Sequence, residues 1–386
     1  MNPMRIVHLL ASVDPKAGGP PAVVLRIAAG QAALGHDVTV AHLPLPAERE
    51  ADFRRSCDAV PGIARVRFAT VDPAMATTLG RPRAAPSFGR CDMLHIHGVW
   101  EPVLPACARW ARAQGIPYCF VPHGMLDRWS MAQKKWKKRV ALWLGWKAVL
   151  DRAAFLHVLN EDEGRGLAPL GLRAPFETIA NGVFLSEIEP IPACGSFRAK
   201  RPELGGDPFV LFLSRLHFKK GLDHLADAFA ILVREHPTVR LVVAGPDDGE
   251  RAPFEARIAG HGLAARTHVV GPLYGRDKYE ALADCAAFCL PSRQEGFSVA
   301  VTEALALARP VVISTECHFP EVAEVGAGAV TSLDPADVAK ALARFIADPA
   351  MADAAGARGA ALVRERFTWE AIAARTIEVY ARRGVR

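Results

Sequence analysis

Short apolar runs alternate with longer amphipathic stretches from one end of the chain to the other. In the first half, Arg5–Leu10, Asp37–Ala41, Met93–His97, Tyr118–Val121, Phe155–Leu159 and Phe176–Ile179 have the length and composition of buried strands. Pro21–Leu34, Pro102–Ala113 and Met131–Leu150 carry helical spacing between them. The pattern thins over Glu187–Pro208, where Pro190, Pro192, Gly195, Pro202, Gly205, Gly206 and Pro208 predict a linker. A second alternation follows. Its strands are expected at Phe209–Ser214, Val239–Ala244, His268–Val270, Ala287–Leu290 and Val311–Ser314. Its helices are expected at Leu222–Arg234, Pro253–His261, Lys278–Cys285 and Val299–Ala306, with Pro335–Ala347, Ala350–Arg364 and Trp369–Arg383 closing the chain. Alternation of this kind predicts an α/β protein built from two Rossmann-like, doubly wound domains, 1–190 and 191–366, followed by a terminal segment 367–386. Open α/β sheets bind ligands at the carboxyl ends of their strands, and two such domains facing each other would form a cleft.

Composition narrows the classes. The 386 residues suffice for two cores, and 51% apolar with 23% charged residues is ordinary for a globular chain. A net charge of +6 suits anionic ligands such as nucleotides, phosphates or lipid headgroups. No zinc-finger spacing or aromatic–glycine RNA-binding signature is present, so nucleic acid is not an expected partner. Met4–Leu10 reads as a strand rather than a signal peptide, and no apolar run is long enough to cross a bilayer. The eight cysteines are scattered without a CxxC pair, as expected for small core residues in a reducing cytoplasm. The stretch from Met131 holds Lys134, Lys135, Lys137, Lys138 and Arg139 interleaved with Trp136, Trp143 and Trp146. That mixture suits the anionic inner face of a membrane, to which a cytoplasmic protein could dock peripherally. A core helix with a solvated basic face is the other reading, because Trp136, Val140, Trp143 and Leu144 fall at core spacing.

Candidate chemistry lies after the strands. Ser214–Gly221 puts Arg215 and Lys220 in a loop leading into a helix, where a guanidinium fork, an ammonium and the helix N-terminus suit a pyrophosphate. In Glu295–Glu303, two glutamates are separated by seven residues, with Gly296 between them. A carboxylate can accept both hydrogen bonds of a vicinal diol, and the amides of Phe297, Ser298 and Val299 can hold phosphate. The plainer reading is a helix with acidic residues near its start. Ala17-Gly18-Gly19-Pro20-Pro21 follows the first strand and is not a dinucleotide fingerprint. His97 and His123 each end a strand and precede a glycine, and Trp100 lies three residues after His97.

Taken in order, the Arg215…Lys220-Gly221 loop, Ala244-Gly245-Pro246, Gly271-Pro272-Leu273, Pro291-Ser292 and Glu295-x7-Glu303 resemble the C-terminal domain of family-4 retaining glycosyltransferases, over residues 209–315. The resemblance implies the GT-B architecture. It implies that Arg215 and Lys220 bind the donor pyrophosphate, Glu295 the donor sugar and Glu303 the ribose diol. Gly296, Phe297, Ser298 and Val299 would touch sugar and phosphate, and Gly271 and Leu273 would pack near the base. Gly18 and Gly19 resemble the family's glycine-rich loop near the donor phosphates. Pro122 through Lys138 resembles members acting in bacterial polysaccharide or O-antigen assembly, in which His123 contacts the donor sugar. His97 and Trp100 are expected to line the acceptor pocket. Asn181-Gly182-Val183 matches another family segment or is simply a turn. Phe367-Thr368-Trp369 resembles the opening of the family's last helix, which returns to the N-terminal domain. The implied reaction moves a hexose from a nucleoside-diphosphate sugar to a glycan or polyprenyl-diphosphate-linked acceptor, with retention and with no metal or other cofactor. A non-hydrolysing sugar-nucleotide epimerase and an inactive GT-B partner protein remain the alternatives.

Overall fold

The computed structural model describes residues 2–385. The chain forms two compact units, Met1–Asn181 with Trp369–Arg386, and Gly182–Thr368. Each is a parallel sheet flanked by helices.

In the first unit the strands are β1 (Arg5–Leu10), β2 (Asp37–His42), β3 (Arg67–Thr70), β4 (Met93–His97), β5 (Tyr118–Val121), β6 (Phe155–Val158) and β7 (Phe176–Thr178). They lie in the order β3-β2-β1-β4-β5-β6-β7, all parallel. The order reverses between β1 and β4, the switch point at which such sheets open a crevice. There His8 pairs with His95 and Leu10 with His97. The helix Trp369–Arg382 packs against the helix Gly19–Ala33: a Cβ on Gly30 would sit 2.9 Å from the Trp369 carbonyl oxygen. Arg382 and Arg383 both pair with Glu177, which anchors the end of this helix beside β7.

In the second unit β8 (Phe209–Leu213), β9 (Arg240–Ala244), β10 (Thr267–Gly271), β11 (Ala287–Leu290), β12 (Val311–Ser314) and β13 (Gly328–Thr331) lie in the order β10-β9-β8-β11-β12-β13. Its switch point falls between β8 and β11. Residues such as Phe209, Val210, Leu211 and Phe288 are fully buried, as strands covered on both faces require.

Three expectations are corrected. The stretch Glu187–Pro208 is not a linker, and the break expected at 190/191 lies inside the second unit. The Asp284 carboxylate accepts from the amides of Gly195 (2.6 Å), Phe197 (2.8 Å) and Arg198 (3.0 Å), and the Phe197 ring is buried. The helix expected over Met131–Leu150 is broken into Arg128–Ala132, Lys135–Ala141, a π turn Leu142–Trp146, and Lys147–Leu150. Lys134 (φ 50°) and Gly145 (φ 113°) adopt left-handed backbone that no continuous helix contains. Finally, β3, β13 and the helix Ala47–Asp58 are additional elements; that helix buries no side chain, and so has no apolar stripe to read. Six cysteines, Cys91, Cys107, Cys119, Cys285, Cys289 and Cys317, are buried as free thiols.

Candidate active site

In the second unit the loops at the carboxyl ends of the strands are tied to one another. The Leu216 amide donates to the Pro246 carbonyl (2.9 Å) and the Gly245 amide to the Gly271 carbonyl (2.9 Å), joining the loops after β8, β9 and β10. The Arg293 amide donates to the Lys219 carbonyl (2.7 Å), joining the loops after β8 and β11. Gly221 sits at a close approach: its φ is 68°, and a Cβ would overlap the Pro291 carbonyl oxygen. This contact fixes Lys220 against the Pro291–Glu295 segment.

The consequence is an ion pair at the switch point. Lys220 Nζ lies 2.6 Å from Glu295 Oε1, with side chains 14% and 7% exposed. The Ser292 hydroxyl donates to the same oxygen at 2.7 Å. Burial of a carboxylate is tolerable here because both neighbours donate to it. Arg215 lies on the same loop but more exposed, paired with Asp248 at 2.7 Å. Glu303, on the helix Val299–Ala306, is buried and holds Lys278 Nζ at 2.6 Å. Ser298 caps that helix, and Gly296 and Val299 beside it are exposed. Phe297 is fixed by packing on Phe319 and Phe367, at ring centroid distances of 5.4 and 6.0 Å. Gly271 ends β10, and Leu273 is half-buried just beyond it.

In the first unit Gly18, with φ 105°, precedes the helix Gly19–Ala33 in an exposed turn and supplies no side-chain cap, and Pro20 and Pro21 bring no N–H to the first helical turn. After β5, His123 is half-buried with φ 50°, a conformation costing a non-glycine residue about 1 kcal/mol or more. The turn is held from below: Glu163 accepts from the amides of Gly124 (3.1 Å) and Leu159 (2.7 Å). Burial raises the Glu163 carboxyl above its usual value, against those two hydrogen bonds. Burial also pushes the His123 imidazole down to about 3, so the ring is neutral at physiological pH.

His97 is buried, with Nδ1 3.1 Å from His123 Nε2 and Nε2 2.9 Å from His8 Nδ1. Both nitrogens are engaged, so its side chain has no atom left for an acceptor, and that expected role is withdrawn. Trp100 is half-buried, donating to the Met125 carbonyl (3.3 Å) beneath the Lys138 ammonium. Sequence reasoning missed Asp248 and Lys278, whose partners Arg215 and Glu303 are distant in sequence, and gave no role to Ser292 or Glu163, whose partners include near neighbours. It also missed His8, His95 and His157, polar residues inside otherwise apolar strands, which were the available signal.

Residues 196–361 match the family described as Glycosyl transferases group 1, and residues 18–182 match the Glycosyl transferase 4-like domain. The chain is 28% identical to glycogen synthase of Mycobacterium tuberculosis, over 99% of this chain and 96% of that protein. It is 30% identical to alpha-maltose-1-phosphate synthase of Mycolicibacterium smegmatis, over 69% of this chain and 73% of that one. Among solved structures it resembles Anabaena HepE, crystallised with UDP, with a TM-score of 0.75 and 18% identity, covering 98% of this chain and 100% of that one; HepE has also been crystallised with UDP-glucose.

Proposed function

This chain belongs to the family-4 glycosyltransferases of the GT-B fold, and from that premise we propose that it transfers a hexose from a nucleoside-diphosphate sugar to an acceptor hydroxyl with retention of anomeric configuration. The observation that carries the donor half is the buried Lys220–Glu295 pair with Ser292 on the same carboxylate oxygen. Lys220 holds donor phosphate and Glu295 holds sugar hydroxyls, each replacing the other as partner when ligand enters. Breaking the anomeric carbon–phosphate bond puts negative charge on the pyrophosphate. Arg215, Lys220 and the amides of Phe297–Val299 are preorganised to stabilise it, and they do so without a metal. The acceptor proton passes to the departing phosphate in a same-face displacement, and Glu303 holds the ribose diol. The uridine nucleotides in HepE make UDP the first carrier to test.

The acceptor is proposed to be a cell-surface glycan precursor on an anionic lipid, met at the inner face of the membrane. Trp136 and Trp143 are 68% and 82% exposed, with Val140 and Leu144 exposed beside them, which replaces the core reading of that helix. A cavity next to them is lined by Arg81, Arg109, Arg112 and Arg152, and no carboxylate is among its lining residues.

Thermal shift with UDP, GDP, ADP and dTDP tests the donor site on wild type and on Lys220→Ala. One nucleotide is expected to raise the wild-type midpoint by several degrees, as ligands that bind only the folded state do, and to lose most of that effect in the variant. A wild type that responds to none of the four sinks the reading. Turnover of the donor with no acceptor present would replace it with the epimerase.

A further inference from the structure

Around the switch point of the first unit, five histidine rings from three strands and one turn form a single hydrogen-bonded chain. Its ends decide where every proton sits. His157 Nε2 lies 2.8 Å from the Ile179 carbonyl oxygen. A carbonyl only accepts, so Nε2 carries the proton and Nδ1 of the neutral ring is bare. His95 Nε2, 3.3 Å away, must then donate to His157 Nδ1, which leaves His95 Nδ1 bare. The Tyr380 hydroxyl, at 2.5 Å, donates to that nitrogen. With its proton spent, the Tyr380 oxygen is an acceptor for the Gln31 amide nitrogen at 3.4 Å. Gln31 therefore turns its carbonyl oxygen to His8 Nε2, at 2.8 Å, and His8 donates. His8 Nδ1 is bare and accepts from His97 Nε2 at 2.9 Å. His97 Nδ1 is bare and accepts from His123 Nε2 at 3.1 Å. The last atom is His123 Nδ1, and it is left without a proton.

The opposite direction fails at the Ile179 carbonyl, where it would force two acceptors together or require a doubly protonated His157 in the core. Burial argues against a cation anywhere in the chain. It pushes His8 and His157 down to about 4, His123 to about 3, and His95 and His97 well below the usual imidazole value.

We propose that this chain is a positioning device that sets His123 as the Nε2–H tautomer, making its Nδ1 a dedicated acceptor for a hydroxyl of the donor sugar. The inference rests on the glycosyl-transfer reading above. A sugar hydroxyl can donate or accept, so the tautomer of the ring it meets decides which way the hydroxyl points. A neutral ring also adds no positive charge beside an anomeric centre that becomes positive as its bond to phosphate breaks. His97, His8, Gln31, Tyr380, His95 and His157 are positioning residues that act through His123. His8, His95 and His97 also offer nitrogens within 4.8 Å of one another, as a metal site would. Yet His8 Nδ1 and His97 Nε2 share one proton, and both His95 nitrogens are engaged by Tyr380 and His157. The donor set is already spent on hydrogen bonds.

The test is a long-range ¹⁵N–¹H spectrum of the full chain labelled at histidine nitrogen, which separates protonated from bare ring nitrogens. The expected result is a protonated Nε2 and a bare Nδ1 on His123, with Nδ1 moved by UDP-glucose and not by UDP. A protonated His123 Nδ1, a mixture of tautomers, or stoichiometric zinc that displaces the His8 and His97 protons overturns the inference. UDP-glucose that binds but leaves Nδ1 unmoved overturns it while sparing the donor assignment. A chain that binds neither UDP nor UDP-glucose sinks that assignment and the inference with it. Among variants, His97→Phe removes the acceptor facing His123. It is expected to lower transfer about ten- to hundredfold while leaving the UDP thermal shift intact. His97→Asn keeps an acceptor there and is expected to recover most of the loss. A His97→Phe protein with normal transfer and an unaltered His123 tautomer overturns the proposal.

Discussion

Lys220 and Glu295 stabilise each other only as a pair. With side chains 14% and 7% exposed and 2.6 Å apart, removal of one charge strands the other in a poorly solvated place. Lys220→Ala leaves the Glu295 carboxylate with the Ser292 hydroxyl still donating to it but without its counter-charge, and is expected to cost about 2–4 kcal/mol in urea unfolding. Lys220→Met combined with Glu295→Gln removes both charges and is expected to cost less than the single change. A double cycle with additive costs would show that the pair is not coupled. Glu303 makes a parallel case. Lys278 occupies it at 2.6 Å, so Lys278→Met is expected to alter nucleotide affinity by several-fold, read as a change in the concentration that gives half the thermal shift. At this scale the sequence showed the positions of Arg215, Lys220, Glu295 and Glu303, because loop chemistry after a strand is local. It could not show that Asp248 and Lys278 would be partners of Arg215 and Glu303. Partner choice depends on which loops meet, and Lys278 reaches Glu303 from a different helix.

Elements were most legible where burial imposed a period. The inner strands β1, β4, β5, β8, β11 and β12 are buried along most of their length and declared themselves as apolar runs. The edge strands β3, largely exposed, and β13, half-buried, were not read, whereas β10, equally half-buried, was read at His268–Val270. The Met131–Leu150 segment misled for the opposite reason. Its period was real, but the apolar face it describes is turned outward, with Trp143 82% and Trp136 68% exposed. The break at Gly145, whose carbonyl accepts from Arg109 at 3.1 Å, redirects the chain so that Trp146 is buried while Trp143 is not. No helix among the described residues is long and apolar enough to cross a membrane. Trp136→Ala with Trp143→Ala is expected to change the unfolding midpoint by no more than about 1 °C, since exposed side chains contribute little. The same change is expected to reduce co-sedimentation with phosphatidylglycerol vesicles several-fold. Unchanged vesicle binding would assign the face to something other than lipid.

At the scale of the whole chain, the two units carry different acid sensitivities. The histidines buried outright, His8, His42, His95, His97 and His157, all belong to the first unit. In the second unit, half-buried His268 is pushed down by burial and by Arg240. A histidine whose folded value lies below its unfolded value near 6.5 binds its proton better when unfolded. Its contribution is therefore whole above 6.5 and is lost as pH falls from there toward the folded value, about 4 for His8 and His157 and about 3 for His123. A single such ring costs about 1.4 kcal/mol per pH unit in that window, so the first unit is expected to weaken progressively as pH falls below 6.5. The chain supplies its own reporter. All seven tryptophans, Trp100, Trp110, Trp129, Trp136, Trp143, Trp146 and Trp369, fall in the first unit. Tryptophan fluorescence thus follows that unit, whereas far-ultraviolet circular dichroism follows helices of both. Between about pH 7.5 and about pH 5.5, the urea midpoint by fluorescence is expected to fall more steeply than the midpoint by dichroism. Coincident midpoints throughout would mean that the buried rings do not resist protonation as the fold requires, or that the second unit cannot outlast the first. His97→Phe separates those two cases. Removing a buried imidazole shallows the fluorescence slope if the rings are its source, and leaves the slope unchanged if they are not.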